Sequence, residues 1–283
     1  LFTKQLQQQR VNNENHVMAN RKILAVNSFP TNGNAGLKVV MSILDVRCIP
    51  VPTLLLSGIG SISGHERFHY DFEHLLSGTL AIARKREEQL VLYVGYLGSS
   101  DQPEIIARYL NEYQDVIKKV LVDPVCGDQG KAYVPEAIIQ SWHTLLARAD
   151  VILPNATEVA LLTGQEPSGE IADTETYVYQ LQEKHPHLKV LVTSMVHNRG
   201  IANRLYYQKE LVHTHLHEQI PRHFSGTGDA FASLVADAYY LKGHTLKQSM
   251  AIAGDTVKAY LENSMARGSK DLLVDRGLVE NAE

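Results

Sequence analysis

Short apolar runs that end in a polar turn and give way to a helix-compatible stretch recur along this chain, and that order restricts its fold more than any other feature. The run at 22–26 enters a turn containing Ser28, Pro30, Asn32, Gly33 and Asn34, and an apolar helical pattern follows over 37–44. A second strand-like segment covers 46–51, after which Leu54, Leu55 and Leu56 lead into a glycine-rich stretch, 58–64, that reads as a loop or covering flap. The run 89–94 enters Gly95-Tyr96-Leu97-Gly98 and a helical segment over 103–119; 120–122 reaches Asp123-Pro124, and a helix begins near Pro135. The runs 151–153 and 188–192 reach Pro154-Asn155 and Thr193-Ser194. Parallel strands need crossovers, which helices provide, so this order predicts an α/β fold with a doubly wound, mostly parallel sheet flanked by helices. Late in the chain, 204–216 alternates as a hairpin turning between Gln208 and Glu210, and helices are expected over 229–241 and 246–266.

With 283 residues, 44% of them hydrophobic, the chain can build one sizeable core, and a single domain over 21–283 is expected. Residues 1–20 read as an N-terminal extension, either disordered or foreign to the functional chain, with Met18 as a candidate start. The net charge of -4 gives no reason for bulk attraction to nucleic acid or to an anionic membrane. No apolar stretch has the length of a membrane-spanning helix, and the polar start lacks a secretory signal's hydrophobic centre. Two cysteines, Cys48 and Cys126, argue against a disulfide scaffold and favour a reduced, cytoplasmic setting.

In an open α/β sheet, ligands gather beyond the carboxyl ends of the strands, which would bring Ser28, Tyr96, Asp123 and Asn155 together. The strongest chemical signal is Ser225-Gly226-Thr227-Gly228-Asp229, followed by the apolar helical pattern of Ala230, Leu234, Val235 and Ala238. Backbone donors of Gly226, Thr227, Gly228 and Asp229 at a helix start could form an anion hole for phosphate oxygens. Asp229 could accept the proton of a substrate hydroxyl. The competing role for Asp229 is a plain helix cap.

Taken together and in order, these segments resemble the ribokinase-like superfamily and, more closely, its vitamin B6 kinase branch. Asn27-Ser28 with Gly33-Asn34-Ala35-Gly36 and Gly95-Tyr96-Leu97-Gly98-Ser99 are similar to that branch's two substrate-side turns. Asp123-Pro124-Val125-Cys126-Gly127 resembles its phosphate and cation region, and Pro154-Asn155-Ala156-Thr157-Glu158 its partner near Mg-ATP. The resemblance implies an ATP-dependent kinase acting on the 5-hydroxymethyl group of pyridoxal, pyridoxine or pyridoxamine. It implies Asp229 as base, Ser28 and Tyr96 as ring ligands, and Asp123 and Glu158 near Mg2+, partly through water. Asn155, Thr193 and Ser194 would lie beside the nucleotide phosphates, and Leu211, Val212 and Val257 would form an apolar boundary to adenine. ATP and Mg2+ are the implied cofactors, with a monovalent cation as an additional option, and a homodimer is the implied assembly.

The chain departs from that branch at Leu56-Ser57-Gly58-Ile59-Gly60-Ser61, where a polar Ser-Asn-His-Thr-like segment usually encloses the pyridine ring. Gly58, Ile59 and Gly60 cannot reproduce those contacts. A hydroxymethylpyrimidine kinase, or another small-molecule alcohol kinase such as a sugar kinase, therefore stays open as the enzymatic alternative. A noncatalytic nucleotide- or B6-vitamer-binding protein and a purely structural oligomer are the alternatives outside catalysis. His213, His215 and His217 at period two and Cys126 read as structural, and Ser225 stands where some related kinases carry a reactive cysteine.

Overall fold

The structure, a computed structural model, describes residues 21–60, 62–197, 200–275 and 277. The proposed extension and Met18 lie outside the described residues. A nine-stranded sheet forms the centre, in the spatial order β11-β10-β9-β8-β5-β4-β1-β2-β3. Its strands are β1 (Arg21–Pro30), β2 (Cys48–Leu56), β3 (Arg67–Phe68), β4 (Gln89–Val94), β5 (Ile117–Val122), β8 (Val151–Ile152), β9 (Lys189–His197), β10 (Gly200–Tyr207) and β11 (Glu210–His217). The two-residue strands β6 (Gly127–Asp128) and β7 (Lys131–Ala132) make a separate small hairpin. Neighbours from β2 through β9 pair in parallel, while β3, β10 and β11 are antiparallel additions at the edges. The chain places β2 on one side of β1 and β4 on the other, so the order reverses at the β1/β4 boundary. This is the position at which doubly wound sheets open a crevice for ligands.

Eight helices among the described residues cover the sheet: α1 (Leu37–Leu44), α2 (Phe72–Lys85), α3 (Gln102–Glu112), α4 (Glu136–Leu146), α5 (Ala156–Leu162), α6 (Ile171–Lys184), α7 (Thr227–Ala236) and α8 (Leu246–Ala266). Alternate residues of each central strand feed two cores. Leu24, Val26, Leu92 and Val94 join Leu76, Ile106 and Trp142 on one face; Ile23, Ala25, Val91 and Tyr93 join Val40, Leu234 and Tyr260 on the other. Burial on both faces explains why these strands read as continuous apolar runs.

Several boundaries differ from the sequence reading. The second strand begins at Cys48 and extends through Leu56, while Val46 sits exposed in a 3-10 turn over Asp45–Arg47. Pro50 and Pro52 are accommodated because the outer edge of β2 is paired only at Leu55 and Leu56, leaving missing N–H groups without a ladder to break. The helix expected over 103–119 ends at Glu112, because 117–122 is drawn into the sheet as β5. Thr193 and Ser194 do not form a turn: β9 runs through them to His197, with Ser194 at φ 57 where the pairing with β10 shifts register. The hairpin at Gln208 is as expected, with Gln208 and Lys209 both at positive φ.

Candidate active site

Asp229 is the third residue of α7 and lies half-buried, yet it does not cap its own helix. One carboxylate oxygen, Oδ1, accepts from Asn27 Nδ2 at 2.7 Å, and Oδ2 accepts from the Gly36 N–H at 2.7 Å. Burial raises its pKa from the ordinary aspartate range, while the Gly36 and Asn27 donors pull the other way. The cap alternative therefore gives way to a carboxylate braced between β1 and the loop before α1.

Asn27 is the hub of this arrangement. Its Oδ1 accepts from the backbone N–H of Ser28 and of Tyr96, tying the ends of β1 and β4 together at the crevice. Gly95 makes room for it: a β-carbon there would sit 2.4 Å from Asn27 Nδ2. The loop 33–36 is equally tight, since a β-carbon on Gly226, at φ 85, would meet the Asn34 carbonyl oxygen at 2.5 Å. Ser28 is buried beside Gly36, and Tyr96 accepts a 2.6 Å hydrogen bond at its hydroxyl from Arg67 of β3. Ile59 of the flap packs over Gly33 and its N–H donates to the Asn32 carbonyl, so the departure segment contributes an apolar cover.

The first N–H groups of a helix have no partner within it. At α7, no hydrogen bond from the backbone N–H of Thr227, Gly228 or Asp229 to the described residues is formed outside the helix, and the Thr227 hydroxyl turns back to the Phe224 carbonyl at 2.7 Å. Asp123, at the end of β5, faces this turn: a β-carbon on Gly228 would lie 3.9 Å from Asp123 Oδ2. Burial, and then the nearby Glu158 and Asp229 charges, hold the Asp123 carboxyl well above its usual range. Burial likewise raises Glu158, opposed by backbone donors. Among the described residues no Lys or Arg forms an ion pair with Asp123, Glu158 or Asp229.

Glu158 and Asn155 are more committed to the fold than the sequence suggested. They form a capping box on α5; Glu158 Oε1 accepts from Cys126 N at 3.1 Å and Oε2 from Asn155 N at 2.9 Å, and Asn155 Nδ2 donates to the Gly127 carbonyl. Asp123 is thus the more open carboxylate, while both oxygens of Glu158 already accept from backbone donors. The described residues contain no group of three or more His, Cys, Asp or Glu able to hold a metal alone. An uncompensated acidic pair facing free N–H donors nevertheless suits Mg2+, which completes its shell with phosphate oxygens and water.

Thr193 joins this end of the sheet through a parallel bridge to Asn155, whereas the Ser194 N–H is bound to Asn203. Leu211 and Val212 do not belong with them. Leu211 pairs with Tyr206, itself level with Val190 at the start of β9, and Val212 follows it; both are exposed and lie toward the amino end of the parallel strands. Val257 packs in the core below α8, between Gly254, which abuts His215, and Lys258, which pairs with Glu218 beyond β11. His215 is engaged by Asp255 at 3.1 Å, and Cys126 is a buried free thiol whose pKa is raised by burial. Asn27, Gly36 and Arg67 are site neighbours that the residue-by-residue sequence assignment did not single out. Asn27 and Gly36 carried a signal only as members of the quoted substrate-side motif, without a role of their own, and Arg67 carried none.

A model of the phosphomethylpyrimidine kinase family matches residues 87–275. The chain is 28% identical over 241 residues to the pyridoxine/pyridoxal/pyridoxamine kinase of Bordetella avium, covering 79% of this chain and 78% of that protein. The crystal structure of pyridoxal kinase from Entamoeba histolytica superposes with a TM-score of 0.82 at 25% identity, covering 93% of this chain and 96% of the other. The pyridoxal kinase of Lactobacillus plantarum shares the fold with a TM-score of 0.78 at 23% identity, over 93% and 96% of the two chains.

Proposed function

The chain belongs to the phosphomethylpyrimidine kinase family of the ribokinase-like superfamily, and from that premise we propose that it transfers the γ-phosphoryl group of ATP to a hydroxymethyl substituent on a small heteroaromatic ring. The observation that carries this reading is the α7 turn, where a half-buried Asp229 braced by two donors and free backbone N–H groups lie beside the Asp123 carboxylate. Asp229 accepts the hydroxyl proton as the acceptor oxygen bonds to the γ-phosphorus and the bond to the β–γ bridging oxygen breaks, releasing ADP. The N–H groups of Thr227, Gly228 and Asp229 meet the charge on the transferring group. Mg2+, when bound, neutralises phosphate charge; Asp123 would hold it, with Glu158 acting through water. Thr193, beside Asn155, is placed to meet the nucleotide phosphates.

Hydroxymethylpyrimidines are the first substrate class, favoured by the matching family and by an Ile59 flap without the polar ring contacts of B6 kinases. The B6 vitamers are the second, favoured by the pyridoxal kinase relatives and by Tyr96 at the crevice. Incubation with ATP, Mg2+ and each candidate alcohol, followed by mass spectrometry, separates the two. Product from hydroxymethylpyrimidine with little from the vitamers supports the first order, product from the vitamers alone reverses it, and absence of any phosphorylated alcohol rejects the kinase reading.

A further inference from the structure

Tyr93 lies in the middle of the sheet, on β4, with Ala25 of β1 and Leu121 of β5 as its register partners. Its side chain is fully buried in the core beneath α1, α7 and α8, where a phenylalanine would fill nearly the same space. Yet it carries a hydroxyl, and among the described residues that hydroxyl makes no hydrogen bond of full geometry. A buried polar group left in this state is destabilising and calls for an explanation. The charges that act on it are those of Asp123 and Asp229, with the Asn27 amide also beside it, so the phenol tip lies directly under the site. Asp123 stands two residues beyond Leu121, the register partner of Tyr93, so its carboxylate emerges on the same face of the sheet, and the Tyr93 phenol is the side-chain donor that acts on it.

Resting on the kinase reading above, we propose that Tyr93 is a positioning residue whose hydroxyl donates to the Asp123 carboxylate and fixes its orientation toward the α7 turn for the divalent cation of a metal–nucleotide complex. A donor and an acceptor on one face of neighbouring strands can pair without any change in the backbone. Since Asp123 Oδ2 faces Gly228, a phenol bond to the other oxygen would hold the carboxylate plane with one edge presented to the crevice. The phenol serves as a donor and not as an acid, because burial and the Asp123 and Asp229 charges keep its proton on. Partners behind a metal-facing carboxylate set its orientation and basicity, which is how a residue outside the crevice influences metal affinity.

The test compares the full-length protein with Tyr93→Phe, which removes one oxygen atom and preserves the ring. ATP binding is measured by calorimetry with and without Mg2+, alongside thermal midpoints. The expected result is about a tenfold loss in the Mg2+ affinity of the ATP complex. ATP binding without Mg2+ stays at the unsubstituted protein's value, and the thermal midpoint shows that the variant is folded. A double-mutant cycle with Asp123→Asn is expected to be non-additive, because the second substitution has little left to remove. An unchanged Mg2+ dependence in Tyr93→Phe, equal losses with and without Mg2+, or strict additivity overturns the proposal. If the unsubstituted protein binds no Mg-ATP at all, the kinase reading falls and takes this inference with it; if it binds normally and only the variant comparison is flat, this inference alone fails.

Discussion

Asp229, half-buried, and Asp123 and Glu158, both buried, are three carboxylates at one crevice, and their environments differ. Asp229 is fully donor-braced, Glu158 is held by backbone N–H groups, and Asp123 is the more open. Because burial raises the pKa of Asp123 and Glu158, the folded protein holds their protons more tightly than the unfolded chain does. Their ionisation therefore costs stability as pH rises from the ordinary carboxylate range, near 4.5, to about 8 for Glu158. A divalent cation reverses that cost only when the carboxylates are ionised. The shift in thermal midpoint on adding Mg2+ is thus expected to be larger at pH 8 than at pH 5.5, which scanning fluorimetry can read. Equal shifts at both values contradict the arrangement. In the sequence, Asp229 stands out in a glycine-rich turn and Asp123 at the end of an apolar run, whereas Tyr93 was hidden inside the apolar run 89–94, where nothing distinguishes a phenol beneath a site from ordinary core.

The α7 turn depends on elements far away in sequence. Gly226 lets the loop carrying Gly36 approach, and Gly36 in turn supplies one of the two donors to Asp229. Gly226→Ala places a β-carbon at positive φ against the Asn34 carbonyl, for an expected cost of about 1–3 kcal/mol. Chemical denaturation should show that loss, accompanied by a fall in turnover larger than stability alone explains; full activity with unchanged stability would show that the close approach is dispensable. The run 89–94, which stops at Gly95, was read correctly from sequence because local chemistry ends it, whereas β1 runs on through Ser28 to Pro30, where the sequence suggested a turn. The elements that shifted are those decided by pairing: 52–56 is strand through its neighbours β1 and β3, and Thr193-Ser194 is a bulge because β10 returns beside β9. Leu211 and Val212 were misplaced for the same reason, since composition cannot tell which end of a hairpin faces the crevice.

Across the whole molecule, one sheet supports two cores, each sealed by its own layer of helices. Neither layer can leave without exposing strand faces shared with the other, so the described chain is expected to unfold in one cooperative transition. Trp142, fully buried in the core that holds α2 to α6, tests this: Trp142→Ala should cost about 3–5 kcal/mol and move the entire transition. Two separable transitions, only one of them shifted, would mean that the layers are independent units. We propose that Asp229, in the crevice of this sheet, serves phosphoryl transfer. The most direct test of this role is turnover of the accepted alcohol with ATP and Mg2+ by the protein and by Asp229→Asn, with folding checked by circular dichroism. The account predicts that kcat falls by about 10²–10⁴-fold while the fold and Mg-ATP binding persist. A folded Asp229→Asn protein that turns over at the original rate would contradict it.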